Sequence, residues 1–263
     1  SAFIRSVRRN ECQRESTSIT DLPENQCSAS SNRIRGALIH DLVARHNLSI
    51  TPEARLTLVE PDAGMLREAK MHLESFSQVE SWIHSASEDV AVADESVDLV
   101  LVGSAWHWMN SQKLIPLLFK ALKRDGLVHI FEYQFPKCES TADLNDWVRR
   151  KFNLEWKAQN QTPRGKLREL VAPLSSSGGF ELVEEQSFDH RAEFDLEQFA
   201  GVIFSQARYL FHEELLLEHE KELYRKSVKK ELEKWFPNGV SLPFFYRMTS
   251  FTFKKCWEKA TFF

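Results

Sequence analysis

Between residues 55 and 133, short apolar runs alternate with stretches of helical period. "RLTLVE" (55–60), "VESWIHS" (79–85), "SVDLVLVGSA" (96–105) and "LVHIFEY" (127–133) read as strands. The third is a near-continuous apolar run, the pattern of a strand buried on both faces. "DAGMLREAKMHLES" (62–75) sets Met65, Leu66, Ala69 and Leu73 at helical spacing, with Asp62 as the N-cap. "SQKLIPLLFKALKRDG" (111–126) predicts a helix that runs through Pro116 and stops at Gly126. This rhythm implies βαβ units, and hence an α/β fold with a mostly parallel sheet covered by helices.

The flanks follow other patterns. "TSITDLPENQCSASS" (17–31) predicts a short strand, "SITDL", and then a polar loop. "NRIRGALIHDLVARH" (32–46) has the period of an amphipathic helix. Residues 140–175 read as helical and Trp-rich, and 196–236 as mostly helical. "SSSGGFELVEEQSFDHRAEF" (175–194) is a turn leading into a strand, and "LPFFYRMTSFTFKK" (242–255) is a late aromatic strand. The two are expected to pair as an antiparallel hairpin near 180–189 and 244–254. No repeat and no clean linker divides the chain, so a single domain over 1–263 is expected, with helical additions at 137–175 and 195–240.

Composition narrows the classes. With 263 residues and 42% hydrophobic content, the chain can bury a large core. A net charge of −4 gives no basic footprint for nucleic acid. No run is apolar enough to span a membrane, and no signal-peptide pattern is seen. Cys12, Cys27, Cys138 and Cys256 have neither metal-ligand nor disulfide-framework spacing, and the histidines form no HExxH pair. A soluble, cytoplasmic protein with reduced thiols and no metal is the expectation.

The chemistry gathers at predicted strand ends, where ligands of open parallel sheets bind. Glu60 is one such tip. Its carboxylate can accept hydrogen bonds from the vicinal hydroxyls of a ribose, or it can cap the next helix. Polar atoms of Ala86, Ser87 and Glu88 can meet the edge of an adenine. Gly103, Ser104 and Ala105 are small enough for a ligand to approach the backbone, and Trp106, His107 and Trp108 follow at once. His107 suits either a general base or a packing role. Glu132 and Tyr133, at the next tip, are further pocket candidates.

In this order, "LVEPDAGMLREA", "SASEDVAVADESVDLVLVGSAWHW" and "LFKALKRDGLVHIFEY" resemble the class I S-adenosylmethionine-dependent methyltransferases. More narrowly, they resemble the group containing trans-aconitate methyltransferase. The resemblance implies a Rossmann-like, seven-stranded sheet whose late strands are antiparallel. It implies S-adenosylmethionine as cofactor and S-adenosylhomocysteine as product. Glu60 would bind the ribose; Pro61, Asp62 and Met65 would line the adenine side; Ala86, Ser87 and Glu88 would contact its edge. Ser104 and Ala105 would pass beneath the methionine portion, and Asp21 would mark the first strand's tip. His107 would be the catalytic group, with Trp106, Trp108 and Tyr133 around a small-molecule acceptor. The helical additions would form a lid over that acceptor.

One departure stands out. The family's first strand runs into a glycine-rich loop, whereas this chain has Pro23, Glu24 and Asn25 after Asp21. Side chains there hold a backbone away from a ligand, and proline removes an N–H donor. A non-catalytic methyltransferase-like binding module is therefore a second reading. A nicotinamide-dependent oxidoreductase is a third, which lacks its G-x-G-x-x-G.

Overall fold

The computed structural model describes residues 2–6, 8–9, 48–49, 55–73, 76–156 and 165–256. Its main sheet holds β1 (Ala2–Ser6), β4 (Arg55–Val59), β5 (Val79–Ile83), β6 (Val97–Gly103), β7 (Leu122–Tyr133), β8 (Lys137–Cys138), β9 (Phe180–Phe194) and β10 (Leu242–Lys255). The order is β5-β4-β1-β6-β7-β10, with β9 on the far side of β10 and the two-residue β8 continuing the edge that β7 leaves. A separate pair joins β2 (Arg8–Arg9) to β3 (Leu48–Ser49). This is an α/β, Rossmann-like fold, with antiparallel late strands as expected.

Strand directions follow from the pairings. β4 runs parallel to β5, and β6 to β7; β1 is antiparallel to both β4 and β6. β10 is antiparallel to β7, β8 and β9. Hence β1 and β10 alone oppose the other strands of this sheet. β9 and β10 pair Phe180 with Lys255 at one end and Phe194 with Leu242 at the other, so β9 reaches five residues beyond the expected 180–189.

The place between β4 and β6 is taken by residues 2–6, whereas the sequence pattern put a first strand at 18–22. Residues 18–22, Asp21 and the helix expected at 32–46 lie outside the described residues. β1 also runs backwards: Ala2 faces Leu58 and Leu101, near the carboxyl ends of β4 and β6, and Ser6 faces Arg55. A parallel strand here would deliver the chain to the carboxyl edge of the sheet. β1 delivers it to the opposite edge.

Two large buried cores stand out among the described residues. The first lies between one sheet face and two helices, α2 (Ser111–Ala121) and α4 (Leu167–Ser176). Val100 and Val102 of β6 and Val128 and Ile130 of β7 meet Leu118 and Leu174 there. The edge helix α1 (Ala63–Leu73) follows β4, and α3 (Ala142–Arg150) follows β8. α2 ends at Ala121, earlier than Gly126 suggested. Lys120 and Ala121 give their carbonyls to the N–H groups of Glu95 and Ser96, and Leu122 enters the sheet beside Val97. Lys123 then clasps Asp98, its Nζ 3.0 and 2.8 Å from the two carboxylate oxygens.

The second core is aromatic. It joins α3 and a π-turn (Lys151–Glu155) to α5 (Leu196–Phe204), α6 (Ala207–Glu213) and α7 (Glu218–Leu232). Phe199 stacks on Phe244 at 4.5 Å, and Trp156 meets Tyr209 edge-on at 5.2 Å. Trp156 donates to the Tyr224 hydroxyl, so its buried N–H is satisfied. Burying each such ring contributes about 1.5–3 kcal/mol. Phe194 and Phe244 anchor this core at the carboxyl-edge end of the hairpin. The helical stretch expected at 137–175 is thus divided: α3 joins the second core, while α4 covers the sheet because Leu167, Val171 and Leu174 face it. Among the described residues no helix is long and apolar enough to cross a membrane, and Cys138 is a free thiol.

An ion pair braces the helical cap. Arg225 donates to both oxygens of the buried Glu213, at 2.6 and 2.7 Å, and Tyr209 donates to the same carboxylate. The Arg225 hydrogen bond holds the Glu213 carboxyl below its ordinary value of 4.5, against the opposing pull of burial. A carboxylate whose pKa is lowered by folding adds stability above the unfolded value, and that stability is lost as pH falls through the folded value. Glu213→Gln is therefore expected to cost about 1–2 kcal/mol at neutral pH, the half-exposed Arg225 regaining water. In denaturant titrations the gap from the wild type should narrow below about pH 4.5. A pH-independent gap would contradict this account.

Candidate functional site

Because β4, β5, β6 and β7 share one direction, their ends meet at a single edge. Beyond β4, Glu60 is half-buried, and its N–H continues the ladder to Ile83 O at 3.0 Å. One Glu60 oxygen accepts the Asp62 N–H at 3.1 Å. Asp62 caps α1 as its sequence suggested, its Oδ1 accepting the Met65 N–H at 2.7 Å. The other Glu60 oxygen has no hydrogen-bond partner among the described residues. Pro61 is exposed and its carbonyl meets His84 Nε2 at 2.8 Å, which ties the β4 and β5 tips together. Met65 is exposed on α1.

At the β5 tip, Ser85 Oγ donates to Ala86 O, and Ser87 is buried. Glu88 Oε1 accepts the Asn110 N–H at 2.5 Å. That carboxylate, expected at an adenine edge, thus ties the β5 tip to the start of α2, where Asn110 is the N-cap.

The β6 tip is the tightest point. Gly103 pairs with Phe131, whose ring lies so close that a Cβ on Gly103 would sit 2.5 Å from its Cζ. Ser104 then donates its N–H to Phe131 O at 2.8 Å and takes a left-handed conformation, φ +47°. Few non-glycine residues adopt it, and such strain concentrates at functional sites. Ser104 Oγ is buried with no hydrogen-bond partner among the described residues. Ala105 leads into a 3₁₀ turn over Trp106–Trp108.

That turn sends its three rings different ways. Trp106 is buried in the first core and donates Nε1–H to Leu170 O of α4 at 2.9 Å. It was expected beside the acceptor; instead its N–H pins the turn to α4. His107 is enclosed, with Nδ1 3.5 Å from Glu132 Oε1 at the β7 tip. Trp108 is exposed, its ring 5.0 Å from the imidazole. Tyr133 packs edge-on against Tyr246 at 6.3 Å, and strand alternation sets it on the sheet face opposite Glu132. Tyr133 and His107 are therefore not neighbours in one wall. The Glu132 contact was missed in sequence because the two residues are 25 apart and nothing in either local pattern couples them.

Comparisons with known proteins agree with this geometry. A family described as "Methyltransferase domain" matches residues 37–130, beginning after the stretch where a glycine-rich loop was sought. No curated protein matches the chain. Among solved structures, a provisionally assigned type II methyltransferase from Anaeromyxobacter dehalogenans is similar at 14% identity and a TM-score of 0.52, over 75% of this chain and 79% of its own. The N-methyltransferase NodS from Bradyrhizobium japonicum WM9, solved with S-adenosylhomocysteine, is similar at 12% identity and a TM-score of 0.37, over 77% of this chain and 67% of its own. At 14% identity, the likeness to the first of these establishes the fold alone, an α/β Rossmann-like methyltransferase fold.

The Gly103–Phe131 contact yields a prediction. Gly103→Ala should push the buried Phe131 ring out of its place and cost about 1–3 kcal/mol, as overpacking does. Equal denaturation midpoints for variant and wild type would show that the contact is not tight.

Proposed function

We propose that the chain is an S-adenosylmethionine-dependent methyltransferase acting on a small-molecule acceptor. The observation that carries this reading is the Glu60 carboxylate at the β4 tip, on the edge that also bears Ser104. Two features fit an adenosyl ligand: the unpartnered second oxygen of Glu60, suited to ribose hydroxyls, and the orphaned, buried Ser104 Oγ. An unmet buried hydroxyl costs about 1–3 kcal/mol, which a polar ligand atom can recover.

In this reading Glu60 holds the ribose, and Pro61, Asp62 and Met65 flank the adenine with Ala86 and Ser87. Ser104 and Ala105 lie under the methionine portion. S-adenosylmethionine bound there would supply an electrophilic methyl group. The chain's own residues align the acceptor and exclude water. The enclosed His107 is the group placed to take a proton, with Trp108 at the acceptor side. The helical cap of α3 and α5–α7, anchored at the same edge of the sheet, is the acceptor lid. The narrower likeness to the trans-aconitate methyltransferase group favours a small acceptor.

One observation favours a second reading, a methyltransferase-like module without turnover. β1 runs against β4 and β6, so its own end lies at the edge opposite the carboxyl ends of those strands. A wild-type protein that binds no S-adenosylhomocysteine up to millimolar concentration would favour this alternative.

Glu60→Ala tests the leading reading. Charge-assisted bonds to the ribose are lost, so S-adenosylhomocysteine affinity by calorimetry should fall by about 1.5–3 kcal/mol. An unchanged affinity in the folded variant would mean that Glu60 serves only the α1 terminus.

A further inference from the structure

We propose that Glu132 is a positioning residue for His107, and that the pair equips the site for a hydroxyl acceptor. The proposal rests on the methyltransferase reading above and narrows its substrate class.

Glu132 lies at the end of β7, in step with Val128 and Ile130 and so on the sheet face that α2 and α4 cover. The turn after β6 brings His107 to that same face. Nδ1 lies 3.5 Å from Glu132 Oε1, within ion-pair distance. The imidazole side chain is 6% exposed and the carboxylate 28%, so the pair is better shielded from water than a surface ion pair. A carboxylate beside Nδ1 favours the tautomer with its proton there and leaves the lone pair on Nε2. The same carboxylate stabilises the imidazolium once Nε2 gains a proton.

An acceptor carboxylate is already nucleophilic and needs no base. A hydroxyl does need one, because its proton must leave as its oxygen forms a bond to carbon. The balance is simple. The hydroxyl oxygen bonds the methyl carbon, and the sulfonium sulfur keeps the electron pair of the broken S–C bond and becomes a thioether. The hydroxyl proton passes to His107 Nε2 and then to water. Nε2 is covered in this structure, so the acceptor has to part that cover. Trp108, 58% exposed, has its ring 5.0 Å from the imidazole.

A purely structural ion pair would also sit at 3.5 Å, so the test reads the tautomer. Protein labelled with ¹⁵N-histidine is examined by long-range proton–nitrogen correlation where the imidazole is neutral, with His107→Gln to assign the signal. The wild type should carry its proton mainly on Nδ1. Glu132→Leu should move the equilibrium toward Nε2–H by about tenfold, and Glu132→Asp should restore part of the preference. A wild-type His107 protonated on Nε2, or a tautomer unmoved in Glu132→Leu, overturns the positioning role.

The acceptor class is tested with S-adenosylmethionine labelled in its methyl group and a panel of phenols, alcohols and carboxylic acids. Label should enter the hydroxyl compounds, with kcat falling tenfold or more in Glu132→Leu and KM little changed. Label entering carboxylic acids at equal rates in both proteins overturns the hydroxyl class. S-adenosylhomocysteine binding reports on the broader function separately, since the tautomer result does not depend on it.

Discussion

Phe131 can lie against Gly103 only because Gly103 has no side chain, and the working edge of the sheet depends on that contact. The ring fills the space where a Cβ would be, and the Phe131 carbonyl takes the Ser104 N–H. The chain must therefore leave β6 through a left-handed residue, which starts the 3₁₀ turn and separates its rings. Trp106 goes down to α4, and His107 comes alongside Glu132. A buried core contact thus sets the orientation of a shielded His–Glu pair at the strand tips. Close packing transmits position in this way because it leaves few alternative arrangements.

The second constraint is direction. Four strand tips converge because β4 to β7 agree, and the cap core stands at the same edge because β9 runs with them. β1 breaks the agreement in the middle of the sheet. In the proposed function the adenosyl group is held at the tips of β4 and β5, which pair with each other directly.

Much of this fold was legible in the sequence, and the reasons are local. β6 announced itself through "VDLVLVG", and β9 and β10 through their length and aromatic content, so their antiparallel pairing was foreseen, though β9 runs on to Phe194. Asp62 was readable as a cap because capping is a matter of three residues. The β1 position was not readable: no strand was read at 2–6, and strand direction depends on distant partners. The end of α2 was misjudged because Gly126 is a strong stop signal, while the actual stop comes from Glu95 and Ser96 taking the last carbonyls. At the candidate site, residue types marked the strand tips, which the fold gathers at one edge. Side-chain direction at Trp106 and Tyr133 depends on α4 and on strand alternation, and so became visible only in the fold.

The central claim is that the carboxyl edge of this sheet is a nucleoside site. The most direct measurement is mapping of backbone amide shifts in ¹⁵N-labelled protein as S-adenosylhomocysteine is added. The account predicts that Glu60 to Met65, Ser85 to Ser87 and Ser104 to Ala105 shift together along one binding curve, while the amides of Arg124 to Gly126, at the opposite edge, stay still. Shifts confined to other surfaces, or none at saturating ligand, would contradict it.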